Sequence, residues 1–209
     1  MSIYDKSINW FLGEAISDSP TPGGASVAAV AGTLACSMVG MVASLTINKK
    51  AYAQYQIEAE KVLEQCRYLT RHLQELTQQD MAVFEDYMKA FRMPKGSGEE
   101  KAARGQALEI AAKNATMVPM AICGACLDIL RQALSVSGFG NKMAISDAGV
   151  GVHLALGALK AAMLNVDVNL GSLNDREFID ATSAQRKMLV QAADSVSAQA
   201  LALIRERMA

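Results

Sequence analysis

Residues Ser19 to Thr46 read SPTPGGASVAAVAGTLACSMVGMVASLT, a proline–glycine turn that becomes a long stretch without a charge. It has three readings: a membrane span, a phosphate-cradling loop, or a buried helix of a soluble core. A span needs about 20 predominantly apolar residues, and Ala25–Ile47 is long enough. Its content argues otherwise. The run is mostly Ala, Gly, Ser, Thr and Met, with no aromatic belt, and Lys49 and Lys50 follow it. A Walker loop would need Gly-Lys-Ser/Thr after the turn, and a dinucleotide fingerprint would need a strand before it; neither is present. Gly32, Ala35, Ala43 and Ser44 instead let neighbouring helices approach closely. A helix apolar on all sides belongs in the middle of a bundle.

The rest of the chain agrees. Of 209 residues, 51% are hydrophobic but only 5% aromatic, and prolines number four, so small and flexible apolar side chains on helices dominate. Alternating strand patterns are scarce. The expected fold is all-α: one domain over residues 1–209, with two buried apolar helices (25–47 and 146–170) surrounded by longer amphipathic ones. A net charge of -1 argues against a nucleic-acid partner, which calls for a concentrated basic patch. Cys36, Cys66, Cys123 and Cys126 form no secreted framework, and MSIYDKSINW lacks a signal-peptide pattern, so a reducing cytoplasm is expected.

The spacing predicts a short amphipathic helix over Tyr4–Ile16 and a turn over Asp18–Gly24. A long helix follows from Tyr52 to Phe91, its apolar stripe Val62, Cys66, Leu69, Leu73, Leu76, Phe84, Tyr87 and Phe91. Ser97 with Glu100 forms a capping-box pattern opening a helix over Gly98–Ala133, with a kink near Pro119. SVSGFGNK reads as a loop. Ser146 or Asn141 starts the second apolar helix, and Asn174 or Asp175 caps the last one.

Asp80 is the anomaly. It stands on the stripe between Leu76 and Phe84, where the period calls for an apolar residue. A carboxylate there is costly without partners, and burial would raise its pKa. A functional acid and a surface Asp displaced by register drift fit the pattern equally. The turn with Pro22, Gly23, Gly24 and Ser26 leads into a helix N-terminus, which attracts anions; packing alone would also explain it. Lys49 and Lys50 are either an anion grip or simple dipole stabilisation of a helix C-terminus. Asp147 sits in the first turn of its helix, where negative charge is favoured in any case. Asn165 and Asn169 share a face one turn apart. Asp147 and Asn165 share a side but lie about 27 Å apart at 1.5 Å per residue, too far for one small site unless a second chain folds the distance back. Cys123-x-x-Cys126 lacks a second ligand pair, so no metal is expected. His153 fits a core histidine and His72 a solvated one.

PTPGGASVAAVAGTLACSMVGMVASLT, KKAY, DMAVFEDYMKAFRMPK, EEKAAR, ATMVPM, NKMAISDAGVG and NVDVNL occur in order along nearly the whole chain. In that combination they resemble the cyclodeaminase/cyclohydrolase family of folate enzymes. One departure is Ala25, where the family commonly has a third glycine. The resemblance implies an all-helical homodimer or larger assembly with a groove between protomers. It also implies tetrahydrofolate one-carbon substrates and no metal or nucleotide cofactor. The implied activity is hydrolysis of methenyltetrahydrofolate, or alternatively cyclodeamination of formiminotetrahydrofolate; a non-catalytic helical assembly module is the reading from another class. Under the enzyme reading, Asp80 is the candidate acid/base and Lys49 assists proton transfer. Pro22, Gly23, Gly24, Ser26, Lys50, Asp147, Asn165 and Asn169 are the candidate substrate contacts.

Overall fold

The computed structural model describes residues 2–209. Six α-helices make up the fold: α1 (Ile8–Ile16), α2 (Gly24–Thr46), α3 (Gln56–Phe91), α4 (Gly98–Phe139), α5 (Ile145–Leu170) and α6 (Arg176–Met208). Single 3-10 segments precede α1, α3 and α5, and no strand occurs among the described residues. The all-α expectation holds. Ser97 and Glu100 form the capping box at the start of α4, and Asp175, not Asn174, caps α6.

α2 and α5 run antiparallel at the centre. Gly24 at the start of α2 lies beside Asn165 near the end of α5, whereas Val39 further along α2 lies beside Gly151 near the start of α5. Glycine is required at that second crossing. A Cβ on residue 151 would fall 2.7 Å from Val39 Cγ2 and 3.1 Å from the Ala35 carbonyl oxygen. The small-residue content of α2 thus sets the depth of the packing.

Four features differ from the sequence reading. α4 continues through SVSGF, so the connection to α5 is short and SVSGFGNK is mostly helix. Pro119 lies within this continuous helix and is buried. α4 buries more residues than α2 or α5, because beyond Lys113 its only charges are the surface pair Asp128 and Arg131, and its second half is a third core helix. Ser146 lies inside α5 and does not cap it; Asn141 caps the 3-10 turn before it, its side chain accepting from the Met143 N–H.

The last difference has the widest reach. α2 and α5 are apolar on all sides, yet this chain covers only part of them. Leu34 is 54% exposed, Leu164 66% and Val168 75%. The outward positions Val27, Ala31, Leu34, Met38, Met41 and Leu45 step by four and three residues, a seam rather than scattered exposure. Three helical segments are long and apolar enough to cross a bilayer by length and composition: Gly24–Thr46, Gly98–Phe139 and Lys142–Leu170. Their apolar windows are 61%, 61% and 50% buried within the bundle.

Candidate active site

Asp80 faces α2. Its Oδ2 accepts a hydrogen bond from the wholly buried Ser26 hydroxyl at 2.7 Å. Ser26 sits in the first turn of α2, so the Gly23-Gly24 turn places it against the carboxylate. Burial pushes the Asp80 pKa above the ordinary carboxylate value, and hydrogen bonds from Ser26 pull it partly back. No Lys, Arg or His pairs with Asp80 among the described residues. The group is a partly desolvated anion without a cation of its own.

The carboxylate lines a cavity of about 340 Å³. Two walls are built on the same helical spacing. α3 contributes Asp80, Val83, Phe84 and Tyr87, at i, i+3, i+4 and i+7; α5 and the turn after it contribute Asn165, Val168, Asn169 and Ser172 at the same intervals. The start of α2 closes one end with Gly23 and Gly24. A Cβ on residue 24 would lie 3.3 Å from Asn165 Nδ2, so glycine is what lets the backbone reach the amide. One wall is therefore acidic and aromatic, the other amide-bearing. Phe84 and Tyr87 are half-buried and stack on no other ring among the described residues, so their faces serve the cavity.

Pro119 has a role here. A proline has no N–H, so the Ala115 carbonyl, four residues earlier, loses its helical partner. Asn169 Nδ2 donates to that oxygen at 2.7 Å. The proline thereby creates the acceptor that fixes the Asn169 side chain, and Ala115 itself lines the cavity. Asn165 donates to its own helix, at the Ala161 carbonyl. Each amide keeps its carbonyl oxygen uncommitted among the described residues. The rim is tied down by Glu109, which accepts the backbone N–H groups of Asn174 and Asp175 at 3.0 Å each, and by a 2.5 Å pair between Lys113 and Asp175.

The structure thus brings together Asp80, Ser26, Gly23, Gly24, Asn165 and Asn169. Ser26 contacts the carboxylate and does not line the cavity; Pro22 is buried beneath the turn, and Pro20 and Thr21 line the space instead. Lys49, Lys50 and Asp147 lie at the opposite end. α2 has 23 residues, so its ends are about 34 Å apart, and both lysines follow its far end beyond Asn48, whose φ is 59°. Phe84 and Tyr87 continue the apolar stripe, and in sequence nothing distinguishes them from its core members. Asp80 was the available signal: a carboxylate interrupting an apolar stripe marks where the helix leaves the core for a cavity. His153 is exposed, contrary to the core reading, and His72 stacks against Tyr68. Cys123 and Cys126 are buried inside α4; burial pushes the Cys123 thiol up to about 12 and Cys126 upward too. No cluster of three or more His, Cys, Asp or Glu side chains suited to a metal occurs among the described residues.

Fold and cavity define a helical-bundle protein with an acid-walled cavity that aromatic rings and side-chain amides also line. Residues 7–188 match the family described as formiminotransferase-cyclodeaminase, and the chain belongs to that family. A Methylorubrum extorquens protein named methenyltetrahydrofolate cyclohydrolase is 40% identical over 84% of this chain and 85% of its own length. The formimidoyltransferase-cyclodeaminase of Gallus gallus is 29% identical over 90% of this chain, which spans only 35% of that longer protein. The crystal structure of formiminotetrahydrofolate cyclodeaminase from Thermotoga maritima superposes with a TM-score of 0.89 at 26% identity, covering 98% of each chain.

Proposed function

We propose that this chain is an enzyme of folate one-carbon metabolism that hydrolyses 5,10-methenyltetrahydrofolate to 10-formyltetrahydrofolate. The observation that carries the reading is Asp80: a carboxylate with no cation from its own chain among the described residues, held by Ser26 at 2.7 Å on the wall of a cavity walled by aromatic rings and amides. The 40% identical relative named for this reaction supports it.

The bridging carbon of the substrate is an amidinium-like cation. Asp80 attracts that charge in a site where water screens it poorly. As water adds to the carbon, Asp80 takes a proton from it. The resulting carbinol collapses when Asp80 returns that proton to N5; the C–N5 bond breaks, the hydroxyl proton leaves to solvent and the formyl group stays on N10. One proton is released overall, and the scheme needs neither metal nor nucleotide cofactor. Phe84 and Tyr87 stack on the flat ring system. The free amide oxygens of Asn165 and Asn169 accept from the N–H groups along the pterin edge.

Cyclodeamination is the second reading, favoured by the close superposition on the Thermotoga maritima enzyme. The same carboxylate would serve as acid and base while the ring nitrogen attacks the formimino carbon and ammonia leaves. One assay separates the two: loss of the methenyl absorbance from methenyltetrahydrofolate marks the hydrolase, and its appearance from formiminotetrahydrofolate marks the lyase. Inactivity on both would favour the assembly-module reading.

Two substitutions probe the site's construction. Ser26→Ala removes a donor that favours the ionised carboxylate, so the Asp80 pKa rises further. Activity depends on the ionised form and falls as pH drops through that pKa. The acidic limb of the pH–rate profile is therefore expected to move to higher pH, read by kcat/KM across the acid range. Pro119→Ala restores an N–H that competes for the Ala115 carbonyl and frees Asn169. A rise in KM of about 5–10-fold is expected, the size of one lost positioning hydrogen bond.

The assembly belongs to the same proposal. The uncovered seam on α2 and α5 pairs with a second copy. An antiparallel pairing about the middle of the helices carries the Lys49, Lys50 and Asp147 end of one chain to the cavity end of the other, which gives these residues a place beside a site that they do not have within one chain. The protein is then a cytoplasmic homodimer without a nucleic-acid or membrane partner.

A further inference from the structure

We propose that the glutamate tail of the folate leaves the cavity past Phe84 and is held by Arg92. This rests on the folate reading above and assigns a part of the substrate that the cavity alone does not accommodate.

The cavity does not end at its aromatic wall. Pro20, Thr21 and Phe84 line it on one side and, on the other, a second depression of about 560 Å³. Phe84 is the divider between the two. The outer depression is lined further by Met81, Met88 and Arg92 of α3. Flexible thioether side chains suit a ring such as the aminobenzoyl group, which must slide in and out. Arg92 is the only cation lining either depression, among the described residues. It caps the C-terminus of α3 through its backbone N–H, which leaves the guanidinium exposed and without a carboxylate partner. Arg131 and Arg186, by contrast, pair with acids, and Arg104 and Arg207 bond backbone carbonyls. The one acid in the outer depression, Glu85, lies 3.9 Å from the Lys89 ammonium, which also pairs with Asp86 at 2.9 Å.

Dimensions agree. From Asp80 to Arg92 the helix rises about 18 Å, a span that an extended aminobenzoyl-glutamyl arm closes together with an arginine side chain reaching back. A guanidinium fork matches a carboxylate in two parallel hydrogen bonds. Substrate orientation follows: reactive carbon toward Asp80, pterin edge toward Asn165 and Asn169, tail outward over Phe84. Lys49 and Lys50 lie beyond the far end of α2 within the chain and would reach the site only from a second copy.

The test compares kcat/KM for 5,10-methenyltetrahydrofolate and for 5,10-methenyltetrahydropteroate, which lacks the glutamate. The wild-type protein is expected to prefer the tailed substrate by about tenfold or more, the worth of hydrogen bonds to a charged group. Arg92→Gln brings the ratio close to one, and Arg92→Lys keeps part of it. Circular dichroism checks that the variants remain folded. Overturning results are an unchanged ratio in Arg92→Gln, a wild type with no preference, or loss of the preference in Lys49→Gln or Lys50→Gln instead. Each of these leaves the hydrolase reading standing. A wild type that turns over neither compound overturns both.

Discussion

Asp80→Asn is expected to lower kcat by about 10²–10⁴-fold while leaving the bundle folded and no less stable. The first half follows from the chemistry: an amide neither takes water's proton nor balances the substrate's positive charge. The second half follows from linkage. Burial raises the Asp80 pKa in the folded state above its ordinary value of 3.8. A raised carboxylate favours the native state fully only below its unfolded pKa, and that advantage is lost as pH climbs through the folded value. At neutral pH the ionised group is a liability to the fold. Asparagine removes the charge and keeps an oxygen to accept from Ser26, so the melting temperature is expected to stay level or rise. The gain disappears in acid, where the wild-type carboxyl is itself protonated. A variant that is active, or one whose melting temperature falls sharply at pH 7, contradicts the assignment. Thermal melts at two pH values beside a turnover assay make the measurement complete.

Leu34→Asp is expected to convert the proposed dimer to a folded monomer and to reduce activity with it. Leu34 stands near the midpoint of α2, is 54% exposed in the single chain and belongs to the uncovered seam. In an antiparallel pairing about that midpoint it meets its own counterpart. Two aspartates would then face each other across an apolar contact, desolvated and of like sign. The dissociation constant is expected to rise by at least about 100-fold, roughly 2.7 kcal/mol. The fold itself loses little, because the position is already solvated in the monomer. Light scattering on a sizing column reads the mass, and activity measured on serial dilution reads the dependence on pairing. A wild type that is monomeric at micromolar concentration, or a Leu34→Asp protein of dimer mass, would remove the assembly from the proposal.

Much of the bundle was legible because helical periodicity and capping are local. The capping box at Ser97 and the stripe from Val62 to Leu76 needed no tertiary knowledge. Burial is not local, and there the reading went astray. Charge density alone made α4 look peripheral, whereas its second half, charged only at Asp128 and Arg131, is core. The same blindness affected the site. Asp80, Asn165 and Asn169 could each be suspected as polar residues on apolar helices, but their meeting depends on the antiparallel α2–α5 pairing and on Gly24 allowing backbone to touch amide. Pro119 looked like a kink because its missing N–H is visible in sequence. That the orphaned Ala115 carbonyl finds Asn169, 54 residues on, is not. Arg92 was invisible as a ligand contact, since a basic residue at a helix C-terminus always has the dipole as sufficient reason.

The absence, among the described residues of the chain, of a counter-ion beside Asp80 also bears on turnover. An electrostatic trap of this kind recognises its ligand by a charge that the reaction abolishes: the methenyl compound arrives as a cation, and the formyl compound carries no such charge at the same carbon. On the proposed reading, the charge-dependent part of the grip rests on one carboxylate, and the catalyst loosens its hold on the molecule in the act of transforming it.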